Sequence, residues 1–334
     1  MYLHARKPWY TKLARKAVAL LSVALSVTMA PQASAQENYP ERLVRIVVPF
    51  GAGNSYDHTV RYIAEQLQKL TSQSFIVEPK QGAIGNIAAA HVARSPADGY
   101  TVFLAANSTH AANTHLFKEL PFDPVADFEP VTTLVKVPQV LVVSPTLGVS
   151  SVQELIDLVK KNPGKYNYGS SSATGRVAAE SFNQMAGLNA VHVGYKTTAQ
   201  AVVDLASGQL HYMFTDAGAG ITHARNGKVQ ALGVTSGNRL DAAADIPAIK
   251  EAGLPDYEFV AWLGFAVPAN TPATVVQKLS DLTNQVLKMP ETEKFLADLY
   301  IQTYPGNPES LRQLIASDTK RWGELIKAAG IEPQ

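Results

Sequence analysis

Two short stretches of this 334-residue chain hold residue types able to grip an anion largely without cations. The first runs from Pro49 to Asp57 through Phe50, Gly51, Ala52, Gly53, Asn54, Ser55 and Tyr56. The second runs from Gly169 through Ser170, Ser171, Ser172 and Thr174 to Arg176. Both follow a β-branched or aromatic run and precede a helical pattern, so each is a strand-to-helix loop. Such loops offer backbone N–H groups, small hydroxyls and a helix start, where aligned peptide dipoles favour negative charge. The amides of residues 52–56 could wrap a carboxylate; an ordinary turn would also use the glycines for geometry alone. The loop lacks the third glycine of a dinucleotide fingerprint and the Gly-Lys-Ser/Thr of a phosphate loop. Arg176 could pair bidentately with a carboxylate or be a solvated surface arginine. Asp57 would repel an anion and reads as a helix cap or an anchor for the loop. Asp216 closes Tyr-Met-Phe-Thr-Asp, as an acceptor for a ligand or water, or as a turn residue.

Catalytic sets are poorly supported. Gly-Ser-Ser-Ser-Ala at 169–173 is not the G-x-S-x-G elbow of a serine hydrolase. A secreted hydrolase using Ser170–Ser172 or His110 is the alternative reading. The histidines at 58, 91, 110, 115, 192, 211 and 223 show no metal-binding spacing, and the chain has no cysteine. We expect no metal and no cofactor.

The elements that must position these loops alternate. Val44–Val48 is a strand, 57–70 an amphipathic helix, Ser74–Glu78 a strand, 87–94 a small-residue helix and Thr101–Ala105 a strand. The pattern resumes with strands at Val140–Val143, Tyr166–Gly169, Tyr212–Thr215 and Leu232–Thr235. Helices are expected from Leu155 after a Ser151/Glu154 capping box, over 175–186 and over 198–207. Two apolar stripes, Val275 to Val286 and Leu311 to Ile326, make the end helical. This order predicts an α/β chain with a mostly parallel sheet, and ligands beyond the carboxyl ends of the strands. The loops there are 49–57, 82–87, 106–113, 169–176 and 216–220.

Composition narrows the setting. Apolar residues make up 46%, which excludes a disordered chain, and a net charge of +1 does not suggest nucleic acid as a partner. Residues 1–35 read as a secretory signal peptide. Arg6, Lys7, Lys12, Arg15 and Lys16 precede a fourteen-residue apolar run, Ala17–Ala30, and Ala33-Ser34-Ala35 is the exit. Fourteen residues are too few for the roughly 20 that span a bilayer. Cleavage after Ala35 removes five of 29 cations, leaving 24 against 28 acids, a net charge of −4. The expected location is the bacterial periplasm.

The ordered landmarks resemble the Bug-type receptors of the tripartite tricarboxylate transporters. They are Tyr39-Pro40, Val48-Pro49-Phe50-Gly51-Ala52-Gly53, Asp57, Arg61, Gly82-Ala83-Ile84-Gly85-Asn86, Ala97-Asp98-Gly99-Tyr100, Thr109-His110-Ala111 and Leu120-Pro121-Phe122-Asp123-Pro124. Tyr195-Lys196, Gly208-Gln209, Val234-Thr235-Ser236, Glu251-Ala252-Gly253-Leu254-Pro255 and Ala328-Ala329-Gly330-Ile331 continue the match. The resemblance implies a two-lobed periplasmic binding protein fold (type II-like) with the ligand cleft between the lobes. Lobe 1 would be 39–142 plus 258–334, and lobe 2 would be 143–257. Loops 50–57 and 169–176 would grip a ligand carboxylate, often through waters, and Asn107, Ser108, Thr109, Tyr195 and Asp216 would line the cleft. The implied partners are a small carboxylate, the membrane permease subunits and, alternatively, a sensor kinase; a monomer is the default for a receptor that closes.

Two departures stand out. Family members usually carry Gly-Gly in the first loop, where this chain follows Gly53 with Asn54, Ser55 and bulky Tyr56. The segment from Tyr168 to Glu180 is about two residues shorter than the family pattern and puts Arg176 near the helix start. Both suggest a different ligand shape or more direct charge pairing.

Overall fold

The computed structural model describes residues 2, 38–51, 55–328 and 330–333. The expected signal peptide lies outside the described residues, as do Ala52, Gly53 and Asn54.

Residues 40–334 pack as one unit around a ten-stranded sheet. In chain order the elements begin β1 (Val44–Val48), α1 (Ser55–Thr71), β2 (Phe75–Pro79), α2 (Asn86–Ala93), β3 (Thr101–Ala106). A π-helical turn, Ser108–Ala112, then runs into α3 (Asn113–Leu116). Next come β4 (Phe128–Val143), α4 (Val152–Lys160), β5 (Asn167–Ser170), α5 (Ala173–Ala186), β6 (Val191–Gly194) and α6 (Thr198–Ser207). The chain continues through β7 (Tyr212–Asp216), α7 (Ala217–Arg225), β8 (Gln230–Val234) and β9 (Val260–Pro268). It ends with α8 (Ala273–Leu287), α9 (Pro290–Asp298), β10 (Gln302–Thr303) and α10 (Pro308–Ala328).

Local chemistry explains four of the helix starts. Ser151 accepts from the Glu154 amide at α4, Ser172 from Gly175 at α5, Thr197 from Gln200 at α6 and Asp216 from Ala219 at α7. These caps satisfy donors that the first helical turn leaves free. In α1 the residues at i, i+3, i+4 and i+7 (Val60, Ile63, Ala64, Leu67) are all buried, and each large apolar side chain removed from water contributes about 1.5–3 kcal/mol.

The sheet order is β2-β1-β3-β9-β4-β7-β5-β6, with β8 and β10 also on β4. The β1–β2, β1–β3, β5–β6 and β5–β7 pairs are parallel. Every pair made by β4 or β9 is antiparallel. This corrects the mostly parallel sheet expected from the sequence. Two elements cause the difference: β9, which the sequence reading did not find, and β4, which begins twelve residues before the expected Val140. Pro130 and Pro138 lie inside β4, where proline normally argues against a central strand. The structure accommodates Pro130 with a register shift between Pro130 and Thr132, and a second shift follows between Thr133 and Val135.

β4 joins the two halves of the sheet. Its residues 128–138 pair with β9, and 139–143 pair with β7 and β8. The long α10 also serves both halves. Leu311 and Ile315 pack with Phe103, Phe128 and Ala266, while Trp322 and Ile326 pack with Phe182, Phe214 and Phe259.

Candidate functional site

One cavity of about 400 Å³ gathers most of the residues singled out in the sequence. Phe50, Ser55, Tyr56, Asn107, Ser108, Ser171, Ser172, Thr174 and Asp216 line it. So do Gly82, Ile84, Gly85 and Ala106, from loops expected to matter, and Gln139, Thr198, Thr215 and Leu263, which sequence reasoning missed. Its size falls in the range of small-molecule sites.

Its charge pattern is specific. Among the described residues no lysine, arginine or histidine lines it, and Asp216 is the only carboxylate. What faces it instead is a set of helix starts. Ser55 opens α1, Gly85 is the residue before α2, Ser172 and Ala173 open α5, Thr198 opens α6 and Asp216 caps α7. Each start carries roughly half a positive charge from the peptide dipoles. Five of them around one cavity produce a field for an anion with no ionised cation. Two polar atoms add point contacts: Asn107 Nδ2 and Ser108 Oγ are buried and have no protein hydrogen-bond partner. Both begin the π-helical turn, a geometry that recurs at functional sites. Ser171 Oγ lies 2.8 Å from Thr198 Oγ1, joining two helix starts.

The wall at 82–85 is strained. Ala83 and Ile84 have φ of 45° and 52°, in the left-handed region that a β-branched residue avoids. Buried Asn113 holds the turn, donating from Nδ2 to the Ile84 carbonyl (3.0 Å) and to Asn86 Oδ1 (2.6 Å). Gly85, at φ 92°, faces Thr109 and Pro49 so closely that a Cβ would lie 2.6 Å from Thr109 Cγ2. Gly175 allows the α5 start to approach the sheet: a Cβ there would lie 2.7 Å from the Phe214 carbonyl oxygen.

Burial raises the Asp216 pKa above the ordinary carboxylate range, against the Ala219 amide that favours its charged form. Burial, and then the Asp216 carboxylate, push the Tyr56 hydroxyl up as well.

Several expected residues are placed elsewhere. Arg176 sits one turn into α5, 3.8 Å from Glu180, and does not line the cavity. The helix begins at Ala173, and the helical spacing turns Arg176 toward Glu180. Tyr195 donates to Asp204 (2.9 Å) and also lies outside the lining; burial and that bond push its hydroxyl up to about 12. Thr109 supports the wall from behind, bonded to Ala106 and His110. Gly51 is not among the lining residues. Ser170 Oγ meets His192 Nε2 at 2.8 Å, the spacing of a nucleophile and its base, but Ser170 is buried and neither residue lines the cavity. Asp57 is buried and clasped by Arg61 Nε at 2.9 Å, which fits an anchor. Expected site residues Ala52 and Asn54 lie outside the described residues.

An α/β chain whose strand ends and helix starts meet at one cavity has the makings of a solute receptor. It belongs to the tripartite tricarboxylate transporter receptor family, whose model matches residues 59–331. It is 31% identical over 330 residues to a protein of Pseudomonas sp. strain P51 from the tcbD-tcbE intergenic region, covering 97% of each chain. Among solved structures it resembles R. palustris Rpa4515 with adipate, at 33% identity and a TM-score of 0.80, over 89% of this chain and 100% of that one. The periplasmic binding protein BugD is 32% identical with a TM-score of 0.74, again over 89% and 100%. The chain is thus a solute-binding receptor of the tripartite tricarboxylate transporter family, and not an enzyme.

Proposed function

We propose that this receptor closes on a small di- or tricarboxylate, or an aromatic carboxylate, in the 400 Å³ cavity and delivers it to the membrane permease subunits of its transporter. The observation that carries this reading is the convergence of five helix starts on a cavity wall that has no cation among the described residues. Ser55, Asn107, Ser108 and Ser171–Thr174 are the contacts it uses. A micromolar receptor needs about −8 kcal/mol, which a few charge-assisted bonds and the burial of Phe50, Ile84 and Leu263 against ligand carbons can supply. The adipate held by Rpa4515 makes a six-carbon dicarboxylate a natural first ligand to try.

Closure would bring together lobe 1 (39–142 with 258–334) and lobe 2 (143–257). The change of β4 pairing at Pro138–Gln139 supports a joint near that boundary. Export with cleavage after Ala35 would deliver the mature chain to the periplasm. The same closed form could be read by a sensor kinase, which a pull-down with and without ligand separates from uptake.

The test is a thermal-shift and calorimetric screen of the mature receptor against adipate, malate, citrate and benzoate, with glucose, neutral amino acids and phosphate as controls. A ligand at 100 times its Kd stabilises by about 2.7 kcal/mol, a rise of a few degrees for a protein of this size. At least one carboxylate should shift the melt, and Asn107→Ala with Ser171→Ala should abolish the shift. A response to glucose and to no carboxylate would refute the proposal.

A further inference from the structure

A second cavity lies on the far side of the π-helical turn. It measures about 140 Å³ and is lined by His110, Phe128, Ala266 and Ile315, with Val125 and the Glu129–Arg312 ion pair (2.6 Å) among its other lining residues. His110 is fully buried, and its ring meets Phe128 edge-on at 4.9 Å and Phe103 at 5.6 Å. Its Nδ1 is bonded to Thr109 Oγ1 at 3.0 Å, but its Nε2 is buried with no protein partner. A nitrogen left without a bond in an apolar setting is costly, so this atom wants a partner that the protein does not supply.

We propose that this cavity is a second ligand site, for a small uncharged molecule that is mostly apolar and carries one hydroxyl, such as a phenol. The size fits, since an apolar cavity of about 150 Å³ in another protein takes benzene. The polarity fits as well. If Thr109 gives its hydrogen to the Ala106 carbonyl (3.2 Å), His110 Nδ1 is the donor and Nε2 presents a lone pair. If Thr109 gives it to Nδ1, Nε2 carries the hydrogen. A hydroxyl satisfies either, because it both donates and accepts. An uncharged ligand suits the site because Phe128, Ala266 and Ile315 are apolar and Glu129 and Arg312 already neutralise each other; burial, which lowers the His110 pKa to about 3, leaves the imidazole neutral as well. The site is distinct from the carboxylate cavity, with which it shares no lining residue.

The test titrates the purified receptor with phenol, benzene and benzoate, reading the His110 ring ¹⁵N signals and the melting temperature. Phenol should bind saturably, move the His110 signals and raise the melt, with benzene about tenfold weaker and benzoate without effect on His110. Ala316→Trp, which fills the cavity from an exposed helical position, should abolish phenol binding and leave adipate or malate binding unchanged. His110→Phe should fold and bind phenol no better than benzene. Ordinary water at Nε2, shown by His110 signals that do not move with phenol, would overturn the proposal. Phenol binding that survives Ala316→Trp, or that a carboxylate competes away, would overturn it too.

Discussion

Among the described residues, Asp216 is the one carboxylate on a wall whose other polar groups are amides and hydroxyls. It caps α7, so it contributes to the fold, yet it faces the space where an anion would sit. Asp216→Asn keeps a capping side chain and removes the charge; carboxylate affinity at pH 7 should rise at least ~5-fold by calorimetry, since like charges a few ångströms apart cost about 1 kcal/mol or more. The sign of the pH effect follows from burial. A folded pKa raised above the unfolded value of about 3.9 gives stability that is complete below that value and lost as pH rises through the folded pKa. Carboxylate affinity should weaken over the same rise, and both slopes should flatten in the Asn variant. The lining by Ser55, Asn107, Ser108, Ser171, Ser172 and Thr174 was legible at this scale because small polar residues after a strand advertise themselves. Gln139, Thr215 and Leu263 were not, since each lies within a strand, and its reach into a cavity depends on which strands become neighbours. Arg176 misled for a related reason: composition marked it as a loop cation, and helical spacing gave it Glu180.

At the scale of elements, the strained turn before α2 makes a sharp prediction. Gly85→Ala would combine φ 92° with a Cβ 2.6 Å from Thr109 and 2.9 Å from Pro49. It should destabilise the protein by ~1–3 kcal/mol and reduce the ligand-induced thermal shift, whereas Gly187→Ala, at φ 64° with open space around it, should lose stability alone. The first strands and helices were readable from β-branched runs and the i, i+3, i+4, i+7 stripe. β9 was hidden because Val260–Pro268 is buried almost throughout and so shows no alternation. The first part of β4 was hidden because Pro130 and Pro138 imitate loop residues. Missing these two strands is what turned a mixed sheet into an expected parallel one.

Across the whole molecule, α10 and β4 each belong to both halves, so the halves should not melt separately. A single calorimetric transition is expected, its calorimetric and van't Hoff enthalpies equal. Trp322→Ala removes a buried ring that packs at 5.6 Å on Phe259, and should cost ~3–5 kcal/mol by lowering that one transition. Two resolved transitions in either protein would contradict the shared-element account.

The cavity wall, cation-free among the described residues, also bears on how such a receptor changes over generations. A lysine or arginine that holds a ligand is one codon away from being lost. A ring of main-chain amides is kept by every substitution that leaves the helices in place. On the proposed reading, the hold on a carboxylate is inherited with the fold. The rest of the wall, at Tyr56, Ile84, Gln139 and Leu263, is then free to drift toward new ligand shapes without passing through a receptor that binds nothing.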